Sequence, residues 1–514
     1  MDTGFPKRWA PSSSDGRALQ QLVTEIVSRH PAVGLAVGVI ADGSTSFYGH
    51  GLADIASKVP ITEETAFRIG SITKTFTAVA VLQLWEQGVI DLDAPANDYL
   101  RAYTLVPADL THRPATVRDL LTYTSGLPQC AHLSRAFKPT LGEMVPFGRP
   151  VPTLASYYRG ALRLVAEPGT RHIYSNHGFA TLGQVVEDVT GEPLPSYVRE
   201  HILEPLGMEQ SDLVRSDRVS QRLATGYALR SSGPRPVDDL DLITVAGGGM
   251  YSTTRDVARF VTALLGGGSN EHGSVLGAVS VSAMFAPQHQ PDPRLCGVGL
   301  AFYRRAVDGH LIVEKSGLVP GFASHLCVAP DDGVGVVAFT NGARGAHGWL
   351  GGEASGVLSH VLGLADDGIR SDVPHHPEVW SDLCGWYSLR GSWRDVQKWL
   401  LAGVQVTVRG GDLVLRPEIP LPGLPAFRLR PDDPADPYAF RVDLSKLGIG
   451  TVRVVFSAGP GRPASACHLE MEPLLSFDRR PAPTGRTSRT IAAVTTGTAS
   501  AAARRASNRR AGSS

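Results

Sequence analysis

Cysteine is scarce in this chain: five residues among 514, scattered over positions 130, 296, 327, 384 and 467. They form no C-x-x-C pair, so neither a zinc site nor a disulfide framework is expected, and buried thiols in a reducing compartment are. An excess of one charge is missing too. With 49 basic and 49 acidic residues, nothing favours nucleic acid or an anionic membrane as a partner. No stretch approaches the roughly 18 consecutive apolar residues of a membrane-spanning helix. Lys7 and Arg8 are not followed by the apolar region of a signal peptide, so the chain as written is expected to be cytoplasmic. No G-x-S-x-G elbow occurs, which argues against an α/β-hydrolase triad. No H-E-x-x-H occurs either, and His375-His376 sits in a proline-flanked linker, so no metal and no cofactor is expected.

What is present suits a large folded enzyme. The apolar fraction of 42% is ordinary for a globular protein, and the length suggests two domains with tails. Val33 to Ile40 followed by Ser44 to His50 reads as a β-hairpin. Helices are expected from Ile72 to Gln87, Gly178 to Val189 and Asp256 to Leu265. Strands are expected at Leu311 to Lys315, Ala323 to Ala329 and Val334 to Thr340. Residues 130 to 155 hold many prolines and read as an irregular, substrate-facing insertion. These elements predict an α/β (α+β) fold: an antiparallel sheet flanked by helices, with an all-helical insertion. Residues 1–16 are expected to be disordered and 17–365 to form this domain. A linker over 366–377 then leads to a small all-β domain over 378–480, where Val404, Val406 and Val408 face Leu413 and Leu415 across Gly410-Gly411. The acid-free tail, 481–514, is expected to be disordered.

Ser71 and Lys74 stand three residues apart at the start of the first helix, which puts a hydroxyl beside an amine. A serine hydroxyl becomes a useful nucleophile only when a neighbouring base takes its proton. Tyr174-Ser175-Asn176 opens the second helix, and Lys315-Ser316-Gly317 ends a strand. Each has an ordinary explanation: Ser71 and Asn176 as helix caps, Lys315 as an edge-strand charge. Ser125 reads as a turn residue and His177 as a capping or packing residue. The order of the three motifs, each on an element able to present it to one cleft, is what caps and edge charges leave unexplained.

The stretches FRIGSITKTFTA (67–78), LLTYTSGLP (120–128), PGTRHIYSNHGFATLGQVVEDVTG (168–191), ILEPLGM (202–208), AGGGMYSTTRDVARF (246–260) and EKSGLVPGF (314–322) resemble the serine β-lactamase-like and penicillin-binding protein family. That family includes class C β-lactamases, D,D-carboxypeptidases, D-aminopeptidases and esterases. The resemblance spans roughly residues 20 to 360 and implies the β-lactamase/transpeptidase fold. It implies that Ser71 is acylated, while Lys74 and Tyr174 move the proton, with either as the base. It further implies that Asn176, Lys315, Ser316 and Gly317 bind substrate, and that the N–H groups of Ser71 and Leu318 form the oxyanion hole. Many relatives have Thr at the place of Ser316. Leu318-Val319-Pro320 is bulkier than is usual in true β-lactamases, which suggests an ester or amide substrate and weak or no β-lactam turnover. The expected partner is a small molecule or short peptide. An inactive binding member of the family, or an acyltransferase using the same intermediate, remains the alternative. Cys384-Gly385-Trp386-Tyr387 fits the start of the lipocalin-like extension found on some relatives, expected to pack near the cleft or mediate assembly.

Overall fold

The computed structural model describes residues 13–135, 142–364, 368–389, 403–418, 426–447, 449–459 and 461–481. All but the first residue of the expected tail lies outside them. The chain divides into two units, one of Met1–Gln290 with Cys296–Asp367, the other of Pro291–Leu295 with Gly368–Ser514.

The first unit is built on seven strands: β1 (Gly34–Ala41), β2 (Ser44–Asp54), β3 (Val59–Pro60), β4 (Tyr303–Val307), β5 (His310–Val319), β6 (Phe322–Ala329) and β7 (Val334–Thr340). Their order is β4-β5-β6-β7-β1-β2-β3, with antiparallel neighbours throughout. Every residue of β1 and β7 is buried. Both read as unbroken apolar runs because helices cover the two faces of the sheet. On one face, α1 (Ser13–Arg29) and α5 (Ala346–Leu362) bring Leu19, Val23, Trp349 and Leu358 against Val37, Cys327 and Val336. On the other face packs α4 (Thr254–Leu265), capped by the Thr253 side chain accepting from Asp256 N. Between β3 and β4 the chain also forms α2 (Thr73–Glu86) and α3 (Asn176–Thr190), which pack together. This stretch is mainly helical, with short two-stranded pairs such as Met144–Pro146 on Leu240–Leu242.

Several elements escaped the sequence pattern, and three of them show why. Helix α5 contains Gly348, Gly351, Gly352 and Gly356, each unfavourable in a helix interior, and its apolar face is stabilised by tertiary packing instead. Strand β4, Tyr-Arg-Arg-Ala-Val, carries too little apolar alternation to announce itself. Helix α1 begins at Ser13, inside the stretch expected to be disordered.

The second unit is a closed eight-stranded barrel of β8 (Gly385–Leu389), β9 (Gly403–Arg409), β10 (Asp412–Pro417), β11 (Phe427–Asp433), β12 (Asp436–Asp443), β13 (Thr451–Gly459), β14 (Arg462–Glu470) and β15 (Leu475–Arg480). Pairing of β8 with β15 closes it and leaves no free edge. Eight strands enclose just enough space for side chains. Tyr387, Val406, Leu413, Leu429, Phe440, Val454, Phe456 and Phe477 form the core.

Candidate active site

Ser71 lies in a 3-10 turn, Gly70–Ile72, that runs into α2, and no side chain caps it. Helix α2 is apolar on all sides and buried along nearly its whole length, which is the signature of a core helix. Lys74 is fully buried within it. Its ammonium donates to Ser71 Oγ at 2.9 Å, to Asn176 Oδ1 at 2.8 Å and to the Gly247 carbonyl at 2.5 Å. Burial of an ammonium demands such partners, and its three hydrogens are matched by three acceptors.

Asn176 is the first residue of α3. It makes no cap; Ser175 holds the cap position, and its hydroxyl donates to the Pro128 carbonyl at 2.6 Å. Tyr174, just before, is anchored through Ile173 N donating to Tyr123 O at 2.7 Å. The ammonium nitrogens of Lys74 and Lys315 both lie 5.0 Å from the Tyr174 ring centroid. Both cations are within cation–π range of this ring. Lys315 is fully buried rather than an exposed edge charge. Tyr123 and Tyr303 flank it at 5.7 Å and 4.9 Å, so three aromatic rings surround its ammonium.

Strand β5 is hydrogen-bonded to β4 only as far as Glu314. Beyond that point the Ser71 turn lies against its edge. A Cβ on Gly70, whose φ is +50°, would come 2.6 Å from Leu318 N. A Cβ on Gly317 would come 2.0 Å from Ile69 O. These two glycines let the backbones meet, and Ser324 Oγ donating to Ile69 O at 2.7 Å ties the junction. The backbone nitrogen of Leu318 therefore sits beside the Ser71 turn, and its side chain is exposed. Lys315 and Ser316 leave opposite faces of β5; Ser316 Oγ meets His325 Nδ1 at 2.9 Å.

Three residues around Lys315 and Tyr174 were not singled out by sequence reasoning: Tyr123, His172 and Tyr303. Tyr123 stacks on Tyr174 with 5.1 Å between centroids and has a left-handed φ of +61°. Strain of this kind persists where surrounding contacts enforce it, and here Tyr123 donates to Ala301 O at 3.2 Å. Tyr303 lies 3.1 Å from His172 Nε2 through its hydroxyl. Burial, with His289 and Lys315 nearby, pushes the His172 ring down to about 3, so it is neutral at pH 7 and can accept from Tyr303. Tyr123 and His172 lie within the family-like stretches 120–128 and 168–191, whereas Tyr303 lies in none of them.

His177 and Ser125 have structural roles. His177 is buried against Tyr158 and Glu143, at 2.8 Å and 2.9 Å, and Ser125 is buried in its turn. Glu192, Glu200 and His201 are the one metal-compatible cluster among the described residues, exposed or half-buried, and the 3.2 Å His201–Glu192 pair accounts for it as a surface ion pair. A cavity of about 540 Å³ lined by Arg68, Leu154, Leu213, Leu242, Val245 and Ala246 does not include Ser71. No described helix is long and apolar enough to cross a membrane.

The family model described as Beta-lactamase matches residues 19–353. An uncharacterized protein of Mycobacterium tuberculosis is 34% identical over 258 residues, covering 46% of this chain and 62% of its own. The D-alanyl-D-alanine-carboxypeptidase/endopeptidase AmpH of Escherichia coli is 26% identical, covering 59% and 78%. The chain spans about three fifths of the length of the first curated relatives it matches. Among solved structures, the octameric penicillin-binding protein homologue from Pyrococcus abyssi superposes with a TM-score of 0.58 at 24% identity, covering 90% of this chain and 100% of that one. This likeness concerns the fold.

Proposed function

Because this chain belongs to the beta-lactamase family, we propose that it is a serine hydrolase in which Ser71 forms an acyl-enzyme with an ester or amide. The observation that carries this reading is the 2.9 Å contact of the buried Lys74 ammonium with Ser71 Oγ. Lys74 is engaged as a donor in three directions, which supports Tyr174, flanked by two ammonium groups, as the group that takes the serine proton. Ser71 Oγ then bonds to the substrate carbonyl carbon. The developing oxyanion is received by the N–H groups of Ser71 and Leu318, donors worth about 2.7–4 kcal/mol each in such sites. Tyr174 returns the proton to the leaving alcohol or amine as the tetrahedral intermediate collapses. Water, deprotonated by the same route, releases the acid and frees Ser71. Asn176, which keeps its amide N–H₂ after its oxygen has accepted from Lys74, is suited to bind the substrate's amide carbonyl.

Relatives of this chain include a carboxypeptidase and a D-amino acid amidase, which agrees with amide or ester cleavage. The exposed Leu318 gives the cleft an apolar rim, which favours an ester or short peptide over a β-lactam. A fluorophosphonate probe tests the reading. Labelling of the Ser71 peptide in the wild type and its loss in Ser71→Ala are expected; equal labelling of both proteins would sink it. Intact-mass screening against p-nitrophenyl esters, D-amino-acid amides and penicillin identifies the acyl group. Nitrocefin turnover as fast as that of a dedicated resistance enzyme would refute the substrate preference.

A further inference from the structure

The cavity of about 540 Å³ has none of Ser71, Tyr174, Asn176 and Lys315 in its lining. Its size falls within the roughly 300–1,000 Å³ of small-molecule sites. One wall is α3, where Ala180, Gly183, Gln184 and Glu187 follow Asn176 along one face of the helix. Another is the turn Val245–Gly248. Val245 and Ala246 line the cavity, while the Gly247 carbonyl accepts from Lys74. A Cβ on Gly248 would meet Leu242 Cδ2 at 3.1 Å and Gly70 C at 3.8 Å, so one turn of chain lies between the cavity and the Ser71 turn. Val151 and Val214 line the cavity and are exposed, which opens it to solvent. Phe147 is exposed as well, and the guanidinium of Arg215, the residue after Val214, lies 4.7 Å from its ring centroid. Single exposed apolar side chains mean little, but three gathered at one opening mark a binding surface.

Most polar side chains of the lining are already paired. Thr153 Oγ1 accepts from Ser156 N at 3.2 Å, Gln184 donates to Asp188 at 3.0 Å, and Glu187 Oε1 accepts from Leu194 N at 2.9 Å. Tyr251 donates to Asp239 at 3.1 Å. Arg68 differs. It is 3% exposed, and its Nη1 donates to Asp239 at 2.8 Å. Its Nε is buried with no acceptor among the described residues, and a buried donor of this kind calls for a partner. The short strand Ala66–Arg68, paired with Tyr251–Thr253, and the Tyr251 ring 5.1 Å from the guanidinium fix its place.

Charge decides the kind of acceptor. Arg68 and Arg215 share Asp239, at 2.8 Å and 3.2 Å, and Asp241 and Glu187 line the cavity as well. A free carboxylate would meet two like charges there, whereas a carbonyl oxygen can accept from Nε without adding one. The remaining side chains are largely hydrocarbon, Leu154, Leu194, Leu213 and Leu242 among them. We propose that this cavity is a ligand site separate from the Ser71 cleft, and that it takes an uncharged, mostly hydrocarbon molecule bearing one carbonyl, whose oxygen accepts from Arg68 Nε. No bond is made or broken there.

Calorimetric titration of the full chain with three probes of one shape tests it: benzylacetone, butylbenzene and hydrocinnamate. They place a ketone, a methylene group and a carboxylate at the same point of the molecule, and none carries a leaving group. Benzylacetone should bind about tenfold more tightly than butylbenzene, the size expected for one hydrogen bond to a charged donor. Hydrocinnamate should bind no better than butylbenzene. Equal affinities for the ketone and the hydrocarbon, or tightest binding of the carboxylate, would overturn the proposal. Location is read from variants that fill the cavity. Leu154→Trp should weaken benzylacetone about tenfold or more. Val214→Trp, at an exposed position where folding is not at risk, should weaken it too and decides the matter if Leu154→Trp does not fold. Wild-type affinity in every folded variant would place the ketone elsewhere and overturn the proposal. None of these titrations uses the Ser71 hydroxyl, so they stand or fall apart from the hydrolase reading.

Discussion

Lys74 has three hydrogens, and a hydroxyl, an amide oxygen and a peptide carbonyl accept them. Lys74→Ala would remove the cation beside Tyr174 and strand Asn176 Oδ1 and Gly247 O in a buried place. Catalysis should fall about 10²–10⁴-fold, the usual range for a lost proton-transfer partner, and stability by about 1–3 kcal/mol for the unmet acceptors. Steady-state rates with an activated ester and urea unfolding check the two numbers separately. Glu314 is a second residue whose removal is felt through its partners. Glu314→Gln removes the charge that Arg305 and His325 share and should destabilise the chain by about 1–3 kcal/mol at pH 7. The Glu314 carboxyl titrates lower in the folded chain than in the unfolded one. Its contribution is therefore complete above the ordinary carboxyl range and is lost as pH falls toward 2. The stability difference between wild type and Glu314→Gln should narrow along that fall; urea midpoints that stay equally far apart from pH 7 to pH 3 would contradict the pairing.

At the level of elements, the site depends on the meeting of a strand edge with a helix start. Gly317 is the contact point: a methyl group there would press on Ile69 O at 2.0 Å, so Gly317→Ala must push β5 away from the Ser71 turn. The Leu318 N–H moves with the strand. We expect fluorophosphonate labelling to slow by 10²–10³-fold, the loss seen when one oxyanion donor goes, while circular dichroism stays native. Normal labelling kinetics would show that the strand edge is not part of the site. The segments bearing Tyr123 and His172 and the start of β4 at Tyr303 form a second junction, and it is sensitive to acid. His172 is held neutral by burial, down at about 3 from an ordinary 6.5. Its stabilising contribution is full above the ordinary value and is lost as pH falls below it. The slope should approach roughly 1.4 kcal/mol per pH unit for this one group. His172→Phe should be less stable than wild type at pH 7.5, for want of the Tyr303 bond, and should lose less on going to pH 5. Chemical denaturation at the two pH values gives the comparison.

Over the whole molecule, what could be read from the sequence follows the range of each interaction. Ser71 and Lys74 are neighbours through one helical turn, and their spacing announces them. Asn176 lies 102 residues from Lys74 and Gly247 lies 173 away; Asn176 was reachable only through motif resemblance, and Gly247 was missed because a backbone carbonyl leaves no mark in a sequence. Tyr303 and His325 look like ordinary strand residues until the fold brings the Tyr303 ring to the Lys315 ammonium and the antiparallel register sets His325 opposite Ser316. The barrel strands, by contrast, show in their period of two, since that period is the pleat itself. The same division between local and distant contacts bears on unfolding. Each unit has its own apolar core, and a cooperative transition is a property of a core. Calorimetry should therefore resolve two transitions. Phe456 is fully buried among Tyr387 and Phe440 in the barrel, so Phe456→Ala should cost that unit about 3–5 kcal/mol through lost burial and the cavity left behind. It should lower one transition by several degrees, leave the other in place, and leave Ser71 labelling unchanged below the lower melting temperature. If both transitions move together, the two cores unfold as one.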